Sequence, residues 1–317
     1  MLAARDVGHR VVVRRYVGVG PQGRPLLTDL LGELVTIDDD RLVVRGDDGV
    51  EHAVPRADVA AAKKIPPRRV RYSEIIALER IADEAWPAPV HERLGEWFLR
   101  AAEGWTNRAN SALPLGDPGV PIDAAISACQ TWYAARGLTP RITVPLPLRR
   151  DVAQALTARG WHAQPLVLVQ TTTLSNVLVP AATPPVDLRE APSVDFLKIV
   201  AARKESLPGA ARHVLTALAE VRFAEVRGDH GALLAIARGA VVDGWLHLGL
   251  VEVIESARGR GYARGLTQAL AGWAAGRGAA RALLQVEEQN TAGVALYKVM
   301  GFTTHHRYMT FRAPSTA

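Results

Sequence analysis

A long internal repeat constrains this chain more than any other feature. Shifting the sequence by 141 residues, the difference between positions 269 and 128, lays ACQTWYAARG (128 to 137) on ALAGWAAGRG (269 to 278). Ala128 meets Ala269, Trp132 meets Trp273, Ala134 meets Ala275, Arg136 meets Arg277 and Gly137 meets Gly278. The same shift carries Gly160-Trp161 onto Gly301-Phe302 with no gap. Self-similarity over so long a period predicts two related halves, each with a helix at the matched stretch. Between them lies VPAATPPVD (179 to 187), whose small residues and prolines read as a break.

Ahead of the repeat the texture is different. RVVVRRYV, LLGELVTI, RLVVRG and VEHAV, within residues 10 to 60, read as short strands between polar turns, with the DDG of 47 to 49 as a hairpin signal. They predict a small β-barrel over residues 1–66. KKIPPRR (63 to 69) joins charge to two prolines, which cannot continue a ladder, and reads as a linker. From Tyr72 onward SEIIALERIADEAW and HERLGEWFLRAAEGW both read as helices. The expected division is therefore 1–66, then a first half over 70–178, then a second half over 186–312.

At 317 residues the chain can bury a core in each part without disulfides. The single cysteine, Cys129, sits in an apolar helical run and reads as a buried thiol, with nucleophile a distant second, which fits a reducing compartment. No apolar run reaches the ~18 residues of a membrane span, and MLAARDVGHR has no apolar signal core, so a cytoplasmic location is expected. A net charge of +6 favours anionic partners, although the arginines are scattered rather than blocked, for which a solvated surface is the plain explanation.

The chemistry is concentrated in VEVIESARGRGYARG, residues 251 to 265. The alternation up to Ile254 is that of a half-buried strand, whereas Ala263, Leu266, Leu270, Trp273 and Ala274 recur at helical spacing. A strand thus passes through a glycine turn into a helix, where unpaired N–H groups and the helix dipole suit a phosphate. Under the 141-residue shift this loop falls on Asp117-Pro118-Gly119-Val120-Pro121-Ile122, where two prolines remove donors and an aspartate repels anions. One phosphate site per chain follows, in the second half.

These residues resemble the cofactor motif of the GNAT superfamily of acetyl-CoA-dependent N-acetyltransferases: Arg258, Gly261 and Ala263 fill the pattern of Gln or Arg, two residues, Gly, one residue, Gly or Ala. EEQNTAGVALYKVMGF (287 to 302) looks like the closing motif of that family, in the expected order. The resemblance covers residues 186–312 and reaches the first half only through the repeat. It implies an α/β (α+β) architecture of tandem GNAT folds, with central mixed, mostly antiparallel sheets flanked by helices. A degenerate half joined to an active half is similar to mycothiol synthase-like proteins, and the N-terminal barrel looks like the SH3-like domain of an actinobacterial tandem family. Acetyl-CoA is the implied co-substrate, transferring its acetyl group to a primary amine by direct attack in a ternary complex; no metal enters.

In that framework the backbone of Gly259, Arg260, Gly261, Tyr262 and Ala263, with Arg258, is expected to hold the pyrophosphate, and the main chain of Val251 and Val253 to run beside the pantetheine arm. Asn290 and Tyr297 lie seven residues apart on a helix expected over 290–300, so both can face the cofactor. Tyr297, a phenol of pKa ~10 beside a thiolate of ~8.5, is the candidate general acid. His247 and Glu252 are the candidate bases; being five apart on one strand they are expected on opposite faces, with a hydrogen-bonded structural histidine an equal alternative for His247. WTNRANSALP (105 to 114), the shifted partner of that strand, is expected as the first half's central strand. Its Trp105, Asn107, Arg108, Asn110 and Ser111 either line an acceptor groove or satisfy one another. The competing classes are a non-catalytic acyl-CoA-binding regulator that docks on nucleic acid or protein through the barrel, and an RNA-contacting basic loop for which Tyr262 alone offers a stacking surface.

Overall fold

A computed structural model describes residues 2–46, 49–66, 68–179, 184–204 and 207–314. The chain forms two compact units, Met1–Arg69 and Val70–Ala317. In the first, β1 (Arg10–Val19), β2 (Pro25–Ile37), β3 (Arg41–Gly46), β4 (Glu51–Pro55) and β5 (Val59–Lys64) form one antiparallel sheet in the order β4-β3-β2-β1-β5. Alternation along the strands buries Val11, Val13, Leu34, Leu42, Val44 and Val54 in a common core. Lys63 and Lys64, expected in the linker, belong to β5, where pairing with β1 needs only their backbone. Asp47, Asp48 and Pro67 lie outside the described residues, and with them the hairpin and part of the linker signal.

The second unit opens with α1 (Tyr72–Glu84). The helix expected over 91–105 is instead a hairpin of β6 (Val90–Leu94) and β7 (Trp97–Ala101). Its turn needs Gly95, which has φ +56, and a Cβ there would stand 2.5 Å from the backbone of Pro118. All five residues of β7 are buried, so the period-two signal of a one-sided strand is missing and helical spacing appears by default. The strand expected over 105–114 is a loop with one 3-10 turn at Arg108–Asn110, ending in the two-residue β8 (Leu113–Pro114). Thr106 leaves the extended region at φ +61, and Asn110 replaces the ladder by accepting from the amides of Ala102 and Gly104 while donating to the carbonyls of Trp105 and Thr106.

The series helix, strand, helix, strand then runs twice. First come α2 (Ile122–Ala134), β9 (Arg141–Leu146), α3 (Arg150–Ala158), β10 (His162–Ala163) and β11 (Val167–Thr173), followed by α4 (Leu174–Val177). Then β12 (Asp187–Arg189), α5 (Val194–Lys204), α6 (Gly209–Thr216), β13 (Val221–Arg227), β14 (Leu233–Val242) and β15 (Trp245–Val253) precede α7 (Tyr262–Ala275), β16 (Arg281–Glu287), α8 (Thr291–Val299) and β17 (Thr303–Arg312). Residues 180 to 183, inside the expected break, are not among those described.

The two halves exchange their last strands. β11, from the first, lies between β16 and β17 of the second, and β17 pairs with β9 of the first. One mixed sheet results, in the order β10-β17-β11-β16-β15-β14-β13-β12 with β9 also on β17, and only β15 and β16 run parallel. One of its faces packs on α7 and α8 through Leu246, Leu248, Leu266, Leu270, Leu284 and Phe302. On the opposite face, α5 and α6 cover Phe223, Ile236 and Ala240, and α1 covers Val169, Leu283 and Tyr308.

Candidate active site

β15 and β16 pair only from Trp245↔Arg281 to Leu248↔Leu284. Beyond that point β15 stays with β14 and β16 with β11, so a slot opens at Gly249 and Gln285, and the edge of β15 turned away from β14 loses its strand partner. A bulge accompanies the parting: Gly249 faces Arg238 and Glu252 faces Ile236, three steps on β15 against two on β14, with Leu250 at φ +52. The extra residue overturns one expectation. His247 and Glu252 do not face opposite sides; with Gly249 they partner alternate residues of β14 (Ala240, Arg238, Ile236) and share one face. Val251 and Val253 instead join the core on the other face, together with Tyr262 and Tyr297.

At the next turn Gly259 and Gly261 adopt φ +77 and +78. A Cβ at either would meet nothing within 4 Å, so glycine is required by the backbone angle rather than by crowding. Gly261 is the N-cap of α7; no side chain caps the helix, and Gly265 N–H closes the first turn on Gly261 O at 3.0 Å. The amides of Tyr262, Ala263 and Arg264 therefore have no intrahelical acceptor. Arg258 and Arg260 are exposed beside them, and the buried Nε of Arg264 has no partner among the described residues. Donors, dipole and cations converge here, which fits a pyrophosphate.

The matching loop of the first half is filled by the protein. Asp117 N–H donates to Glu96 Oε2 at 2.8 Å, Glu96 N–H donates to Asp117 O at 2.7 Å, and a Cβ on Gly116 would fall 2.1 Å from Glu96 Oε2. A carboxylate of the chain itself occupies the region that an anion would need. Nothing in the repeat pointed to Glu96.

Tyr297 packs edge-on against Phe302, ring centroids 5.5 Å apart, and burial pushes its phenol up to about 12. Asn290 does not share its setting: it is the exposed N-cap of α8, with Oδ1 accepting from Gly293 N–H at 3.0 Å. Its acceptor atom is thus occupied by the helix start.

On the opposite face His247 is fully buried. Its Nε2 lies 3.1 Å from both Arg108 Nη1 and Gln285 Oε1, while Nδ1 has no partner among the described residues. Desolvation, then the positive fields of Arg108 and Arg238, hold its pKa well below the ordinary histidine value, so the ring is neutral at neutral pH. Arg108 also donates to Gln285 Oε1 and lies over the ring of Trp86 at 5.2 Å; Arg238 lies 5.0 Å from the same ring. Trp105 stacks on Trp86 with centroids 5.7 Å apart. The residues of WTNRANSALP thus divide: Asn110 braces its own loop, Ser111 accepts from Arg100, Asn107 donates to Gln164, Trp105 packs in a core shared with Phe196 and Phe223, and Arg108 makes a polar contact with the second half. Gln285, Trp86 and the buried Glu79–His306 pair at 2.7 Å were not singled out by the sequence, because each is a lone polar or aromatic residue in an ordinary element.

Comparison with known proteins places this arrangement. Residues 72–311 match the family described as "Probable histone acetyltransferase Rv0428c C-terminal". "Probable histone acetyltransferase Rv0428c" of Mycobacterium tuberculosis is 32% identical over 98% of this chain and 97% of its own length. "Uncharacterized N-acetyltransferase YobR" of Bacillus subtilis is 27% identical over 74% of this chain and 98% of its own. Among solved structures, a GCN5-related N-acetyltransferase from Kribbella flavida superposes with a TM-score of 0.59 at 15% identity, over 76% of this chain and 96% of that one, which bears on the fold alone. Membership implies use of an acyl-CoA, for which the slot and the uncapped helix provide a fitting bed. The chain belongs to the Rv0428c family and is a GNAT-type N-acetyltransferase.

Proposed function

We propose that this enzyme transfers the acetyl group of acetyl-CoA to a primary amine by direct attack within a ternary complex. The observation that carries the proposal is the parting of β15 from β16 beside the uncapped start of α7, since it sets a slot for a thioester next to a bed for a pyrophosphate. Acetyl-CoA supplies an activated acyl carbon and a thiolate leaving group. Backbone amides of residues 259 to 263 with Arg258 and Arg260 anchor its phosphates, and the free edge at Val251 and Val253 aligns the arm and polarises the carbonyl. Donor and acceptor then approach from opposite faces of the sheet, because Val251, Val253 and Tyr297 lie on one and His247, Glu252 and Arg108 on the other.

The balance of the reaction is simple. The amine nitrogen forms a bond to the acyl carbon as the carbon–sulfur bond breaks, the nitrogen loses one proton and the sulfur gains one. With its own proton on Nε2 and given to Gln285 Oε1, His247 offers a lone pair at Nδ1 to the departing amine proton, with Glu252 on the same face as the second candidate. Tyr297 supplies the proton to sulfur, and Asn290 positions it by starting α8. The first half contributes no second cofactor, since Glu96 fills its loop, which supports a tandem arrangement with one active half. The strand order of the N-terminal unit, with a 3-10 turn between β4 and β5, supports an SH3-like reading of that unit.

Calorimetry with acetyl-CoA and thiol release with a panel of amines test the proposal. One acetyl-CoA bound per chain and acceptor-dependent release are expected. Binding without release against every amine would leave a regulator in place of an enzyme of this mechanism.

A further inference from the structure

Around His247 the acceptor face of the slot is electropositive, with Glu252 further along the same face. Arg108 donates through Nη1 to Gln285 Oε1, which leaves Nε and Nη2, the edge that grips a carboxylate side-on, with no protein acceptor among the described residues. No described carboxylate forms an ion pair with it. Glu79 acts on it only through space and has Oε1 engaged by His306 at 2.7 Å. The other charges around it, Arg100 and Arg238, are cations. Two further polar groups of this cluster lack partners while buried: the indole N–H of Trp105 and Nδ1 of His247. A half-buried guanidinium without a counter-ion is stabilised by a ligand that brings the missing negative charge. Arg108 is also in place for it, since Gln285 is the first residue past the last parallel pair and marks the mouth of the slot.

Resting on the N-acetyltransferase reading, we infer that the acceptor is a small amine carrying a carboxylate beside its nitrogen, as an α-amino acid does, and that Arg108 receives the carboxylate while the amine faces the slot. The same cation disfavours an ammonium next to it, so the amine is delivered in its neutral, nucleophilic form. A lysine in a basic peptide meets repulsion from Arg108, Arg238 and Arg100 instead. The loop that holds Arg108 comes from the first half, which thereby supplies substrate selection to a site whose cofactor bed lies in the second.

The test uses the full chain, acetyl-CoA and two probes built on each of L-phenylalanine, L-methionine and L-glutamine, the free amino acid and its carboxamide, with a lysine-rich peptide as a common reference. Thiol release is measured with the native chain, Arg108→Gln and Arg108→Lys, with acetyl-CoA affinity measured on all three by calorimetry. Free amino acids are expected to be preferred over their carboxamides, and Arg108→Gln to lower their kcat/KM about 10- to 10²-fold with acetyl-CoA affinity unchanged. Arg108→Lys, which keeps the charge without the fork, should recover part of the loss and guards against misfolding of the first variant. Equal transfer to acids and amides, or transfer confined to the lysine-rich peptide, overturns the inference and leaves the acetyltransferase reading standing. No transfer to any of these probes also overturns the inference, whereas the acetyltransferase reading falls only if the wider amine panel fails as well.

Discussion

Replacing Tyr297 by Phe isolates one proton. The ring sits edge-on to Phe302 at 5.5 Å and is 7% exposed, and none of the described residues forms a hydrogen bond with its hydroxyl, so Phe keeps the packing and orphans no partner. Stability should change by less than ~1 kcal/mol. A general acid contributes ~10²- to 10⁴-fold, and the rise of this phenol to about 12 makes it a weaker donor than a free tyrosine by about two pKa units. At a Brønsted coefficient of about 0.5 that weakening removes about one decade, so kcat should fall ~10- to 10³-fold while the acetyl-CoA dissociation constant holds. The assay is thiol release with the best acceptor, so that departure of the thiolate rather than attack limits the rate. The pH profile adds a second condition: because the raised pKa keeps the phenol protonated, Tyr297 imposes no alkaline loss of kcat below about pH 11. Turnover near that of the native chain, or an alkaline limb near pH 9 that vanishes in the Phe variant, would refute the assignment.

Four further outcomes are expected. Gly261→Asp, at φ +78 with open space around its Cβ, should fold yet bind acetyl-CoA about 10²-fold more weakly, since a like charge within ~6 Å of phosphate costs roughly 3 kcal/mol at an effective dielectric of about 20; Asp117→Gly should leave one site per chain by calorimetry because Glu96 still fills the other loop. His247 is buried neutral with its pKa depressed, so its stabilisation is present above the unfolded value of ~6.5 and is lost as pH falls below it; urea melts of the native chain should lose stability from this group as pH drops below that value, a loss that His247→Asn removes. Gly95→Ala drives a Cβ to 2.5 Å from Pro118 at a positive φ and should cost more than ~2 kcal/mol in denaturant melts of the full chain, whereas a neutral result would contradict the hairpin.

The parts of this molecule that depend on local pattern were open to sequence reading. The matched helices of the repeat, the strands of the first unit and the glycine turn before α7 all follow from spacing and backbone rules. What escaped depends on contact at a distance. Leu250 carries no mark of a bulge, yet that one residue turns Glu252 onto the face of His247. β7 is buried on both sides, so its alternation is erased, although the 141-residue shift lays Trp97 to Ala101 on residues 238 to 242 of β14. Arg108 was visible as a polar residue where a core strand was expected, but its choice of Gln285 over its own loop is set by the meeting of the two halves. The exchange of β11 and β17 has no local signal at all, because either strand would satisfy either sheet by pattern.

That exchange has a consequence during synthesis. β9 receives its partner only when β17 is made, and Leu146 and Arg307 are separated by 161 residues, the difference of their positions. At a ribosomal pace of ~5 to 20 residues per second, one flank of β9 waits roughly 8 to 30 s as an open strand edge in the growing chain. An edge left bare for that long is an invitation to pair with a neighbouring chain, and a truncation anywhere before residue 303 makes the wait permanent. The first half therefore cannot finish folding ahead of the second, and the unit from Val70 onward completes its sheet only once β17 is made. A cell that makes it fast, or makes fragments of it, should accumulate aggregates seeded at β9, and slowing translation or supplying the missing C-terminal stretch as a separate peptide should relieve them.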